Sequence, residues 1–162
     1  METRQGTQPG FLLAQIGGHA AAKFAERLAP LKLTPADAGI LRFVRNSPGI
    51  SQQELSTRLG IHPSRLVAIL DVLEESRFVE RRANVDDRRQ YSLHITGEGE
   101  EVLQRIGKVA REHQEALLAA LSAQERTLLT ELLQKIAEEQ RLQPGIHPGY
   151  KWMKPGRRPQ TS

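Results

Sequence analysis

Residues 84–92 read NVDDRRQYS: two carboxylates followed directly by two guanidinium groups, then a polar residue and an aromatic one. An arginine beside a carboxylate is either a solvated ion pair of little energetic weight or a guanidinium aimed at an outside anion through charge-assisted hydrogen bonds. A second stretch, HPSR at 62–65, places short polar and basic groups behind a proline. Other chemistries find less support. The five histidines (19, 62, 94, 113 and 147) are scattered, with no H-x-x-x-H or H-E-x-x-H spacing. TGEGEE at 96–101 lacks the third glycine and the Lys-Ser/Thr of a phosphate loop, and helix initiation explains it better. No nucleophile–base pairing is legible. We therefore expect no enzyme, no cofactor and no metal site; a site across helices from His19, His113 and glutamates is the minor alternative.

Composition narrows the class. The chain has 162 residues, enough for one domain with a dimerisation extension, and no cysteine, which excludes disulfides and thiolate metal sites. No window approaches about 18 consecutive apolar residues and the start is unlike a signal peptide, so a cytoplasmic protein is expected. The net charge of +4 is a property of the tail. Arg141 to Ser162 carries five of the 23 basic residues and no acid, leaving 18 basic against 19 acidic residues upstream. Any nucleic-acid-binding role must rest on where charges stand rather than on their sum.

The elements that must position these groups follow from periodicity. Leu12, Ile16, Phe24 and Leu28 recur at helical spacing until Pro30. Thr34, Pro35 and Asp37 open a second helix with Ile40, Leu41 and Val44 on its inner face. SQQELSTRLG starts a third, with Ser51 and Glu54 as a capping box and Gly60 closing it. IHPSRLVAILDVLEES is the fourth, striped by Leu66, Ile69, Leu70 and Leu73. Two short helices about a glycine turn make a helix-turn-helix. The period then changes: FVERR and QYSLHI alternate as strands, with the charged knot as their loop. A helix-turn-helix followed by a hairpin is a winged helix. Thr96 caps a long fifth helix, and Ser122 with Glu125 boxes the last. The fifth helix's apolar stripe (Val102, Ile106, Val109, His113, Ala116 or Leu117, and Ala120) runs far beyond what one small core covers, so a second copy is expected to pair with it. The tail from 142 has a Pro/Gly-rich composition and is expected to lack a core of its own.

The order of these elements, with LTPADAGILRFV, SQQELSTRLGIHPSRLVAILDVLEESRFVERR and DDRRQYSLHITGEGEEV, resembles the MarR family of bacterial transcription regulators over about residues 10–140. The resemblance implies a mainly α fold. Residues 1–32 and 96–141 would form the dimerisation helices, 33–95 the winged helix-turn-helix, and 142–162 a basic tail. It also implies a homodimer, usually a repressor, released by small aromatic or anionic ligands. Two departures stand out: Asn84-Val85 where the family often has Asp-Pro, and His62 where Asp or Asn often caps the recognition helix. His62 either loosens that helix start or points at a phosphate.

Site expectations follow. A helix enters the major groove with short polar or basic side chains at its leading end, which Pro63, Ser64 and Arg65 supply, with Ala68 a turn on. Arg65 is the candidate for a guanine edge; the plain alternative is an ion pair with Asp71 or Glu74. The backbone N–H groups at Ser51, Gln52 and Gln53 suit a phosphate. In the loop, Asp87 would orient an arginine for a narrow minor groove. The family pattern puts the inserting residue at Arg89, with Arg88 on a phosphate or in the same groove. Arg81 and Arg82 end the first strand, and one of them, taken as Arg82, can touch a phosphate; solvation is the equal alternative. By the same resemblance His19, Phe43 and Leu66 would line a ligand cleft. KPGRRPQ in the tail narrowly misses a minor-groove Gly-Arg-Pro core and is read as a solvated basic segment, with Tyr150 and Trp152 anchoring it on the partner subunit. The competing reading is an adaptor or antirepressor that binds protein rather than DNA, since residues 51–90 carry seven basic and seven acidic residues.

Overall fold

The computed structural model describes residues 8–87 and 90–151. Helix α1 (Pro9–Leu28) runs into a 3-10 turn at Ala29–Leu31, where Pro30 stops the α-helix as expected. Helix α2 (Pro35–Asn46) opens with a complete capping box: the Asp37 amide donates to the Thr34 hydroxyl at 3.2 Å and the Thr34 amide donates to the Asp37 carboxylate at 2.7 Å. Burial nevertheless outweighs those bonds and raises the Asp37 pKa above its ordinary value. Helices α3 (Gln52–Leu59) and α4 (Pro63–Glu75) flank Gly60, whose left-handed φ of 63° suits a residue without Cβ. The buried Ser56 hydroxyl ties that turn by donating to the Ile61 carbonyl at 2.6 Å.

Strands β2 (Val79–Ala83) and β3 (Tyr91–Ile95) form the hairpin, with Arg81 opposite Leu93. A third strand, β1 (Ile50–Ser51), joins the far side of β3 in the order β1-β3-β2. Sequence reading missed it, because two residues carry no period. The fifth and sixth helices are α5 (Gly97–Leu117) and α6 (Ala123–Glu139). Thr96 caps α5 by accepting from the Gly99 amide at 2.9 Å. Gly99 is required by close approach: a Cβ there would sit 2.1 Å from the Phe78 carbonyl oxygen.

The core lies where α2, α3, α4 and the hairpin meet the first half of α5. Ile40, Leu41, Leu55, Leu66, Leu70, Leu73 and Leu93 are all 0–1 % exposed. Each contributes roughly 1.5–3 kcal/mol by leaving water. The stripe on α5 divides: Val102, Leu103 and Ile106 are buried, whereas Leu117 is 36 % exposed. No residue of α6 is buried, and Phe11, Ile16, Leu128, Leu132 and Ile136 stand 46–56 % exposed. The apolar seam predicted to need a partner is thus left open by this chain's own core.

Two expectations are corrected. The Ser51 half of its capping box forms at 3.1 Å, but the Glu54 carboxylate pairs with Arg58 one turn on. The tail does have a seat on its own chain: Ile146 packs against the core, and Tyr150, in a short 3-10 turn at Pro148–Lys151, is 6 % exposed within it. Tyr150 is therefore no anchor for a partner subunit. Trp152 and the KPGRRPQ segment lie outside the described residues.

Candidate nucleic-acid interface and ligand cavity

The leading end of α4 is presented as predicted. His62, Pro63, Ser64 and Ala68 are exposed and Arg65 is half-buried, while Leu66, Ile69 and Leu70 hold the opposite face in the core. His62 does cap: its Nδ1 lies 2.8 Å from the Ser64 hydroxyl and accepts from the Ser64 amide at 3.4 Å. That amide contact is longer than an ordinary cap bond. Ser51 and Gln52 are half-buried and Gln53 is exposed at the N-terminus of α3.

Arg81 is the residue sequence reasoning misjudged. It is neither solvated nor free for a phosphate. Its side chain is 14 % exposed and grips three partners. Nη2 donates to Asp71 Oδ1 at 2.7 Å, Nη1 to Glu74 Oε2, and Nε to Gln52 Oε1. One guanidinium thereby joins the wing to α4 and to the start of α3. Asp71 and Glu74, the two carboxylates weighed as partners for Arg65, both pair with Arg81. The two-residue period was the available signal: Val79 faces the core, so Arg81 shares its side and Arg82 does not. Arg82 is 61 % exposed and pairs with Glu80, Nε to Oε1 at 2.7 Å. Such a surface pair holds little energy, so a phosphate can take Arg82 from it.

In the loop, Asn84 earns its place. Its side-chain oxygen accepts from the Asp86 amide at 3.1 Å, and its amide donates to the Gln90 carbonyl at 3.0 Å. The Gln90 amide closes the turn on the Asp87 carbonyl at 2.9 Å. Arg88 and Arg89 lie outside the described residues, so the aiming role expected of Asp87 stays a proposal.

A cavity of about 860 Å³ opens between α1, α2, α5 and the C-terminal segment. Its walls are Ala21 and Phe24 of α1; Pro35, Ala38, Gly39, Arg42 and Arg45 of α2; Leu103, Gln104, Ile106, Gly107, Ala110 and Arg111 of α5; and Gly145, His147 and Tyr150. This is a cleft between the two expected lobes, built from other residues than those named. Leu66 is 1 % exposed beneath α4 and cannot reach it. Phe43 follows Arg42 by one residue, about 100° round the helix, and packs on the core. His19 is exposed two residues before Ala21, about 200° away. The lining combines apolar walls with three arginines and, among the described residues, no carboxylate.

Beside the cavity, His113 lies 5.3 Å from Phe24, ring centroid to centroid. Desolvation, then the charges of Arg27 and His19, hold its pKa below the usual 6.5. The unfolded chain therefore binds this proton first as pH falls. The stabilisation is complete above about pH 6.5 and is lost as pH drops toward the folded value. His113→Phe is expected to flatten the fall in melting temperature between pH 7.5 and 5.5; an unchanged difference from wild type at the two pH values would oppose this. Among the described residues no three metal-ligating side chains come together, and no helix is long and apolar enough to cross a membrane.

A helix-turn-helix with an exposed leading helix and a hairpin at its flank defines a winged-helix protein. Residues 31–90 match the profile of the MarR family. The transcriptional regulatory protein assigned to the hcr operon of Thauera aromatica is 30 % identical over 135 residues, covering 78 % of this chain and 81 % of that one. The transcriptional repressor Rv2887 of Mycobacterium tuberculosis is 28 % identical over 130 residues, 80 % and 94 % of the two chains. Among solved structures, the repressor CouR bound to a 23-mer DNA duplex superposes with a TM-score of 0.72 at 32 % identity, covering 85 % of this chain and 99 % of that one. Rv2887 in complex with salicylic acid gives 0.66 at 28 % identity, covering 83 % and 99 %. The chain belongs to the MarR family, a family of transcription regulators rather than enzymes.

Proposed function

We propose that this chain is a homodimeric repressor that binds a near-palindromic double-stranded operator and is released by a small aromatic or anionic ligand, working in the cytoplasm on the nucleoid. The observation that carries the reading is the presented end of α4, locked to the wing and to α3 by Arg81. Residues 33–95 form the DNA-reading lobe, and 1–32 with 96–141 the dimerisation helices, whose open apolar faces support pairing with a second copy. Two lobes set about one helical turn apart, ~34–36 Å, read two half-sites. Ser64, Arg65 and Ala68 face base edges from the first turns of α4. Pro63 sets the entry of that helix, His62 and Arg82 approach the backbone, and the amides of Ser51, Gln52 and Gln53 hold a phosphate. Asp87 steers Arg89 into the minor groove beside Arg88. The cavity between α1, α2 and α5 takes the ligand, and its three arginines favour an anion.

The test is selection of bound fragments from genomic DNA, followed by gel shifts with variants. Arg65→Ala is expected to cost about 1–3 kcal/mol and to relax specificity at one base pair per half-site. Arg89→Ala is expected to weaken binding by about tenfold and lower the salt slope by about one. Unchanged affinity in both variants would refute the interface. The balanced charge of residues 51–90 favours one other reading, a protein-binding adaptor; salt-insensitive capture of a protein with no DNA shift would select it.

A further inference from the structure

The C-terminal segment is placed where a loose tail has no reason to be. Helix α6 ends at Glu139, and six residues later Gly145 already touches α2: Arg42 Nη2 donates to its carbonyl at 2.9 Å. Gly145 turns the chain with a φ of +73°, a conformation that favours glycine. Ile146 packs on the core, and the Gly149 amide donates to His147 Nδ1 at 2.9 Å, setting the turn that delivers Tyr150. The Tyr150 ring then closes over Gly39. A Cβ on that glycine would lie 1.4 Å from the phenol oxygen, so the absence of a side chain at 39 is what admits the ring.

We infer that residues 145–150 are the closing wall of the ligand cavity, a strap that holds a small aromatic carboxylate between Tyr150 and the arginines of α2 and α5. The inference rests on the ligand-responsive reading above and adds the part of the site that comes from the C-terminal segment. Three features support it. Gly145, His147 and Tyr150 line the cavity directly, alongside the residues of α1, α2 and α5. Arg42 serves strap and cavity at once; a guanidinium has five donors, so one can stay on the Gly145 carbonyl while others take a carboxylate. Apolar walls from Phe24, Leu103 and Ile106 suit a ring. The strap also joins the end of α6 to α2 through a short linker, so a ligand that seats it more firmly fixes a dimerisation helix against the DNA-reading lobe.

The test uses the full chain with salicylate as probe and salicylamide as its uncharged control. Tyr150→Ala removes the wall from one side. Gly39→Ala displaces it from the other, and in a helix without the strap that change would be neutral or stabilising. Titration calorimetry is expected to show salicylate bound more tightly than salicylamide and weakened by about tenfold or more in both variants. Amide exchange in 143–151 is expected to slow on adding salicylate to the wild type and not to the variants. Wild-type salicylate affinity in both cooperatively melting variants, or exchange in the strap that quickens with ligand, overturns the strap alone. A wild type that binds neither probe overturns the ligand class in the proposed function, and the inference with it.

Discussion

Leu132→Glu is expected to turn the dimer into a folded monomer and to lower affinity for a two-half-site operator by about a hundredfold or more. Leu128, Leu132 and Ile136 recur every four residues on α6 and stand 54, 48 and 46 % exposed. None of α6 is buried in its own chain, so the charge does not enter the core of the winged lobe. In the paired state the same carboxylate would lie in an apolar interface, where desolvation costs several kcal/mol without a partner. A monomer keeps one recognition helix per molecule and loses the gain from holding both half-sites together. Sedimentation and gel shift read the result; a dimer of unchanged mass with wild-type operator affinity would show that α6 is not in the interface.

Arg81→Ala is expected to cost about 1–3 kcal/mol of stability and to impair operator binding without removing any group that touches DNA. Truncation strands the Gln52 carbonyl and leaves Asp71 and Glu74 with no shared cation between them. The lower part of the range applies because both carboxylates are 42 % exposed and water screens them. The larger consequence is geometric: α4, the start of α3 and the wing lose their common clamp, and base contacts tolerate little misplacement. Arg81→Lys restores the charge but not the three-way fork, and it is expected to recover melting temperature better than operator affinity. A melting temperature and a gel shift both at wild-type values would remove Arg81 from the mechanism.

The elements with local signatures were legible. Thr34, Thr96 and Ser122 each mark a helix start by accepting a backbone amide three residues on; such bonds need no tertiary partner. Gly60 marks the helix-turn-helix for the same reason, and the period-two run from Tyr91 to Ile95 marks β3. The presented face of α4 followed from its stripe of leucines. Less was legible in the site. Arg81 was misplaced because its three partners come from 7, 10 and 29 positions away in sequence. Phe43 was expected on the cleft wall, but one residue of helical rotation separates Arg42, which lines this cavity, from Phe43, which packs on the core.

By itself, then, the order of residues determined which segments coil and which extend, where each helix begins, and that an apolar seam would need covering. These are matters of hydrogen bonds and periodicity within a few residues. Only the tertiary structure decided that Arg81 faces inward, that Ile50–Ser51 becomes a strand and that Tyr150 finds a place over Gly39. Each depends on groups distant in sequence meeting at a few ångströms, and no local pattern encodes the closing of that distance.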